Sequence, residues 1–94
     1  MKIPKVVKIG GHSYQVIVRD RDRKDGQTAL GSHNARITTI WIDNQLSKSQ
    51  QESTFLHEII EAINYANLLG LNESQISSFE HNLYQVLKDN NLLK

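Results

Sequence analysis

Apolar and polar residues alternate with a period of two in the first part of the chain, which predicts β-strands. The segment Val6-Val7-Lys8-Ile9 precedes Gly10-Gly11, a pair that accepts the positive φ angles of a tight hairpin turn. Ser13-Tyr14-Gln15-Val16-Ile17-Val18 then returns, with Tyr14, Val16 and Val18 on one face. The two segments together predict a β-hairpin.

Two further strands are predicted before residue 44. Residues 28–32 form the first, His33-Asn34 the turn, and residues 36–43 the second, which is rich in β-branched and aromatic residues. The strand region therefore covers about residues 5–43. Within it, residues 19–26 alternate in charge sign and end in glycine, which predicts a loop that is either solvated or in contact with a substrate or partner.

After these strands the apolar period lengthens to that of an α-helix. Ser49 and Glu52 have the spacing of a capping box and Gly70 supplies a stop, so a helix is predicted over about residues 50–69. Asn72, with Gln75 three residues later, predicts the N-cap of a second helix over about residues 73–90. The apolar stripe of this second helix consists of Ile76, Phe79, Leu83, Val86 and Leu87.

This order of elements predicts an α+β fold in which two helices pack on a small antiparallel sheet of about four strands. With 94 residues, of which 38% are hydrophobic, we expect a single domain over residues 1–94 with one two-layer core. The sequence contains no apolar run long enough for a signal peptide or a membrane span. The expected location is therefore the cytoplasm, with no membrane partner.

Charge and cysteine content narrow the possible functions. A net charge of +1 argues against general electrostatic binding of nucleic acid. The acidic residues Asp20, Asp22 and Asp25 offset much of the one basic cluster, which comprises Lys2, Lys5, Lys8, Arg19, Arg21 and Arg23. Because cysteine is absent, any metal ion would be held by histidine and carboxylate side chains.

The first helix carries the candidate chemistry, in the pattern His57-Glu58-Ile59-Ile60-Glu61. His57 and Glu61 are four residues apart, so both project from one side of the helix, away from Phe55 and Ile59. Two such ligands can reach one zinc ion, since imidazole nitrogen and carboxylate oxygen both bind zinc at about 2 Å. Glu58 lies at the flank and would be the general base, which takes a proton from the attacking water.

A zinc site of this kind needs a third protein ligand, and the second helix offers Glu80 and His81. Glu80 lies nearer to the apolar stripe and so nearer to the first helix, whereas His81 is the better zinc ligand but lies on the opposite side. The alternative without a metal is that His57 and Glu61 form an ordinary surface pair on a solvated helix.

The segments Leu56-His57-Glu58-Ile59-Ile60-Glu61-Ala62-Ile63-Asn64-Tyr65 and Leu83-Tyr84-Gln85-Val86-Leu87-Lys88-Asp89-Asn90 resemble a group of small phage and prophage proteins. That group is related to minimal zincin-type metallopeptidases, distantly like the ImmA/IrrE group, and its full motif is His-Glu-Ile-x-His-Ala-Ile. The resemblance implies a zincin-like fold with His57 as first ligand and Glu58 as base. Glu61 then stands in place of the second His, and Ser77 falls near the position of the third ligand.

The resemblance also implies that a substrate docks along the edge strand beside the first helix, which is expected near residues 36–42. Because two ligands of the family pattern are altered, the favoured function is a zincin-like domain that has lost catalysis and binds a protein or peptide partner. The alternative is a metal-dependent peptidase or hydrolase in which His57 and Glu61 hold zinc and Glu58 activates water. A nucleic-acid-associated phage protein is the second alternative.

Overall fold

The computed structural model describes residues 1–20 and 30–93 and confirms the α+β class. Residues 21–29, which include most of the predicted charged loop and the beginning of the predicted third strand, lie outside the described residues. Within the described residues, neither helix is long and apolar enough to cross a membrane. The elements are β1 (Val6–Ile9), β2 (His12–Arg19), β3 (Gly31–Asn34), β4 (Thr39–Asp43), α1 (Lys48–Asn67) and α2 (Glu73–Asp89).

The four strands form one sheet in the order β1-β2-β4-β3. The β1–β2 hairpin at Gly10-Gly11 is confirmed, and both glycines have positive φ angles of 59° and 83°. The sheet is mixed rather than wholly antiparallel, because β4 runs parallel to β2 while β3 runs antiparallel to β4. After β2 the chain forms β3 at the far edge of the sheet. It then turns back as β4, which lies between β2 and β3 and therefore runs parallel to β2.

The β3–β4 hairpin differs from the sequence prediction in its register. His33 and Asn34 were predicted to form the turn, but both lie in β3 and pair with Ile40 and Thr39. The turn instead covers residues 35–38, where Thr38 adopts a positive φ of 45°. The expectation that residues 36–42 form the docking edge is therefore wrong, because β4 is an inner strand and β3 is the edge strand beside α1.

Gly31 allows β3 to lie directly against α1. A Cβ atom at this position would lie 2.6 Å from Cγ2 of Thr54 and 2.8 Å from the carbonyl oxygen of Trp41, both shorter than real contacts. The close approach also places His33, two residues further on the same strand face, against the same side of α1. The missing side chain of one glycine thus determines how near the edge strand comes to the motif residues.

The core lies between one face of the sheet and α1. In β2, buried Tyr14 and Val16 alternate with exposed Ser13 and Gln15, as expected for a sheet with one covered face. The core cluster consists of Ile9, Tyr14, Val16, Ile40, Ile42, Phe55 and Ala62. Because the apolar side of α1 faces this cluster, its opposite side, which carries His57 and Glu61, faces the pocket described below.

The helix boundaries differ from the predictions by at most two residues. The N-cap of α1 is Ser47 rather than Ser49, and the capping box is completed by Gln50 rather than Glu52. Glu52 is unavailable for capping, since it is buried and accepts a hydrogen bond from the hydroxyl of Tyr84 at 2.7 Å. The predicted capping box of α2, formed by Asn72 and Gln75, is confirmed.

The second helix packs on α1 and, among the described residues, on no strand of the sheet. Its buried residues are Ile76 and Glu80, so the contact face is narrower than predicted and is shifted towards Glu80. Phe79, Leu83 and Val86, which belong to the predicted apolar stripe, are exposed. The sheet, α1 and α2 therefore form three successive layers rather than two helices on one sheet.

Candidate metal centre

A pocket of about 610 Å³ lies where β3, α1 and α2 meet. Three histidines and four glutamates from the three elements line it. Its lining residues are Leu30, Gly31, Ser32, His33, Thr54, His57, Glu58, Glu61, Glu73, Ser77, Glu80 and His81. All five candidate site residues named from the sequence, His57, Glu58, Glu61, Glu80 and His81, therefore line one pocket.

The imidazole of His57 is the centre of this arrangement. Its Nε2 atom lies 3.8 Å from Oε1 of Glu61, one turn along α1, and 3.4 Å from Oε2 of Glu73, at the beginning of α2. One ligand atom from each of these three residues lies within 4.8 Å of the other two. A histidine and two carboxylates from two helices thus face one point in the pocket.

Glu80 contacts the other ring nitrogen of His57. Its Oε1 atom lies 3.3 Å from Nδ1 of His57, and a carboxylate oxygen accepts the proton of that nitrogen. The hydroxyl of Ser53 donates to the second oxygen of Glu80. The lone pair of Nε2 is then directed into the pocket, which is the arrangement in which a carboxylate orients a metal-binding histidine.

His81 contributes little to the pocket interior. Its side chain is 73% exposed, and its Nε2 atom lies 3.3 Å from Glu80 on the side away from His57. Of the two third-ligand candidates, Glu80 is thus the residue that contacts His57, but it does so at Nδ1 rather than beside Nε2. The place beside Nε2 belongs to Glu73, and Ser77 lines the same pocket.

Glu58 is only 4% exposed, although the sequence placed it at a flank of the helix. Burial, with smaller contributions from the charges of Glu61 and Glu73, raises the pKa of Glu58 to about 8. Its Oε1 atom has no hydrogen-bond partner among the described residues, although Nδ1 of His33 lies 3.5 Å away. A buried, unpartnered carboxylate oxygen carries a large desolvation cost, which a nearby cation would offset.

Glu61 lies between His33 and His57 and faces both. Its Oε1 atom faces Nε2 of His57, and its Oε2 atom lies 3.6 Å from Nδ1 of His33. Burial, a hydrogen bond with Glu73 and the charge of Glu73 raise the pKa of Glu61 to about 7, against the opposing influence of His57. Burial lowers the pKa of His33, so this imidazole is neutral near pH 7 and has a lone pair available.

Two residues of the pocket were missed by sequence reasoning. The sequence pattern identifies Glu73 only as an acidic residue in the first turn of α2, and its contact with Nε2 of His57 depends on how the two helices pack. His33 was assigned to a turn. The spacing Gly31-x-His33 on a strand was the available signal, because period-two alternation places both residues on one face.

The donor set fits a divalent cation. Within the described residues, two groups of three side chains have all their ligand atoms within 4.8 Å of one another, namely His57-Glu61-Glu73 and His33-Glu58-Glu61. Both groups combine imidazole with carboxylate, the ligands available to zinc in a chain without cysteine. The unpartnered oxygen of Glu58 supports the same interpretation, because no protein cation occupies the described part of this pocket.

Comparison of the chain with models of known protein families, with curated proteins and with solved structures found no match in any of the three.

Proposed function

We propose that this chain is a zincin-like, metal-dependent hydrolase that acts on peptide bonds. In this proposal His57, Glu61 and Glu73 hold a zinc ion and Glu58 is the general base. The observation that carries the proposal is the position of His57, whose Nε2 atom faces Glu61 and Glu73 while Glu80 contacts Nδ1. The motif helix and the resemblance to small phage and prophage zincin-type proteins support the same reaction class.

The charge of the pocket supports a bound cation. Four glutamates, Glu58, Glu61, Glu73 and Glu80, line it together with three histidines, and among the described residues no lysine or arginine lines it. Burial, and after it the repulsion among Glu58, Glu61 and Glu73, raises the pKa values of Glu58 and Glu61. A divalent cation offsets this repulsion, so the ionised carboxylates become the stable form when it is present.

Zinc, when bound, supplies a Lewis acid that polarises the scissile carbonyl and lowers the pKa of water. The side chains of this protein supply the proton transfers. The carboxylate of Glu58 accepts a proton from the water whose oxygen adds to the carbonyl carbon. Glu58 then returns the proton to the amide nitrogen as the carbon–nitrogen bond breaks, which releases a carboxylic acid and an amine. Because Glu58 is buried, both proton transfers take place inside the pocket.

The edge strand β3 supports an extended peptide as substrate. Gly31, Ser32 and His33 of β3 line the pocket, and the outer side of β3 has no strand partner among the described residues. A peptide in the β-conformation can pair with a free strand edge through main-chain hydrogen bonds. Such pairing would place the scissile bond beside Glu58 and His57.

A peptidase assay on zinc-loaded protein, with a library of unstructured peptides, tests this function. We expect hydrolysis by the wild-type chain and a loss of roughly 100-fold or more in Glu58→Gln, by the usual contribution of a general base. Glu58→Gln should still contain zinc. Hydrolysis that is unchanged in Glu58→Gln, or absent from zinc-loaded wild-type protein, would contradict the proposal.

A second candidate function is the non-catalytic protein-interaction module, and one observation favours it. Phe79, Leu83 and Val86 form an exposed apolar stripe on α2, where Phe79 alone is 58% exposed. An apolar helix face can bind a protein partner. If zinc-loaded wild-type protein hydrolyses no peptide while Phe79→Ser abolishes the biological effect of the protein, this second function is the correct one.

A further inference from the structure

Glu61 presents its two carboxylate oxygens to two different histidines. Oε1 lies 3.8 Å from Nε2 of His57, and Oε2 lies 3.6 Å from Nδ1 of His33. The two histidines belong to separate groups of convergent ligand atoms, and Glu61 is the one residue shared by both groups. A carboxylate in this position can bridge two cations, as carboxylates do in two-metal sites.

The group around His33 has its own reason to bind a cation. Oε1 of Glu58 lies 3.5 Å from Nδ1 of His33, in a side chain that is only 4% exposed, and has no hydrogen-bond partner among the described residues. The separations of 3.5 and 3.6 Å from Nδ1 to the two carboxylates exceed those of ordinary N–H···O hydrogen bonds. One ligand atom each from His33, Glu58 and Glu61 therefore lies close to the other two, without an ordinary hydrogen bond from Nδ1 of His33 to either carboxylate.

We propose that His33, Glu58 and Glu61 form a second divalent-cation site, so that the pocket holds two zinc ions bridged by the carboxylate of Glu61. This inference rests on the proposed function for the first site, formed by His57, Glu61 and Glu73. Glu58 and Glu61 belong to the motif helix, whereas His33 comes from the edge strand and lies outside the motif.

Charge balance is consistent with two cations. Among the described residues the pocket contains four carboxylates, Glu58, Glu61, Glu73 and Glu80, and one divalent cation leaves an excess of two negative charges on them when all four are ionised. A second divalent cation neutralises that excess. Buried charge is costly unless it is paired, so the balanced state is the more stable one for the ionised pocket.

The second cation changes the role of Glu58. When Oε1 of Glu58 binds a cation, that oxygen is no longer available to accept a proton from water. Hydrolysis by the proposed enzyme should therefore be highest with one zinc ion per chain and should fall as the second position fills. Excess zinc therefore inhibits hydrolysis, because the second ion binds Glu58, which is the general base.

Equilibrium dialysis of the full chain against buffered zinc, followed by metal analysis, tests the proposal. We expect two zinc ions per chain in the wild type and one in His33→Gln, with one also in Glu73→Gln. The matched control is His12→Gln, which removes an exposed histidine of β2 outside the pocket and should keep two. A wild-type stoichiometry below two overturns the second site without any variant having to fold, and a stoichiometry of two is assigned to the pocket by the variants.

The outcomes separate the two proposals. One zinc ion per chain in the wild type, unchanged in His33→Gln and lost in His57→Gln, overturns the second site and leaves the first intact. No bound zinc in the wild type overturns both. Two zinc ions of which one is lost in His12→Gln rather than in His33→Gln would place the second ion on the surface and also overturn the inference.

Discussion

Glu80 lies 3.3 Å from Nδ1 of His57, on the opposite side of the ring from Glu61 and Glu73. This contact joins the middle of α2 to the motif of α1 and determines which ring nitrogen faces the pocket. Because Glu80 is itself buried and accepts from the hydroxyl of Ser53, its position is determined by packing as well as by His57. The sequence offered Glu80 as a candidate third ligand, and in the structure it contacts Nδ1 of His57 rather than lying beside Nε2.

The first prediction concerns that orienting contact. Glu80→Gln should lower zinc affinity by roughly 10- to 100-fold, because outer partners of a metal-binding histidine contribute about this much. Competition with a chromophoric chelator measures the change. His81→Gln is the matched control, since His81 is 73% exposed and contacts Glu80 without reaching His57, and its affinity should equal that of the wild type. Equal losses in both variants would mean that Glu80 does not act through His57.

The second prediction concerns pH and the metal-free protein. Burial raises the pKa of Glu58 to about 8, and burial with Glu73 raises that of Glu61 to about 7. Folding therefore favours the protonated forms of both carboxyls, so their contribution to the free energy of unfolding should be complete below the unfolded pKa of about 4.3 and should fall as pH rises. The decrease should end near pH 8, after a loss on the order of 5 kcal/mol from Glu58.

Urea unfolding in the presence of a chelator, at intervals between pH 5 and 8.5, measures this dependence. Glu58→Gln should flatten the decrease and should be more stable than the wild type at pH 8, because a neutral amide replaces a buried charge. A wild-type stability that rises over this range would contradict the assignment. Zinc should reverse the trend in the wild type, since its ligands must be ionised to bind it.

The third prediction concerns Gly31. Gly31→Ala should destabilise the fold by roughly 1–3 kcal/mol, because the added Cβ overlaps Thr54 and the carbonyl of Trp41. The displaced strand should also weaken zinc binding through His33. Thermal and urea unfolding measure the first effect, and Ser32→Ala, at an exposed position of the same strand, is the control. Equal stability of the two variants would show that β3 can shift without cost.

The fourth prediction concerns the packing of α2 on α1. The hydroxyl of Tyr84 donates to Glu52 at 2.7 Å, while burial together with this bond raises the pKa of Tyr84 to about 12. Tyr84→Phe should lower the free energy of unfolding by roughly 1.5–3 kcal/mol, the usual contribution of a hydrogen bond to a charged group. Tyr65→Phe, at a side chain that is 61% exposed, should change it little. A Tyr84→Phe variant as stable as Tyr65→Phe would be inconsistent with the bond.

Local sequence signals predicted the elements whose ends carry capping residues or turn glycines. Asn72 and Gln75 place the beginning of α2 correctly, and Gly10-Gly11 places the first hairpin. Ser49 failed as the N-cap of α1 because two overlapping capping boxes are possible there. Tertiary contacts decide between them, since Tyr84 holds Glu52 in a buried position where it cannot cap the helix.

Only some residues of the pocket could be predicted from the sequence, for a physical reason. His57, Glu58 and Glu61 lie on one helix, so helical spacing alone brings them together. Glu73 and His33 reach the pocket through the crossing of α2 and through the close approach of β3 at Gly31, which are properties of packing rather than of spacing. Similarly, the parallel pairing of β2 and β4 depends on which edge of the sheet the chain reaches first.

The zinc affinity of Glu73→Gln tests the central claim most directly, because Glu73 is 74% exposed and its Oε2 atom lies 3.4 Å from Nε2 of His57, where the proposed zinc would bind. We expect affinity to fall by more than the roughly 100-fold that loss of an outer partner costs. Asp89→Asn, which removes a carboxylate of α2 outside the pocket, should leave affinity unchanged. Wild-type protein that binds no zinc, or Glu73→Gln that binds it as tightly as the wild type, would contradict the claim.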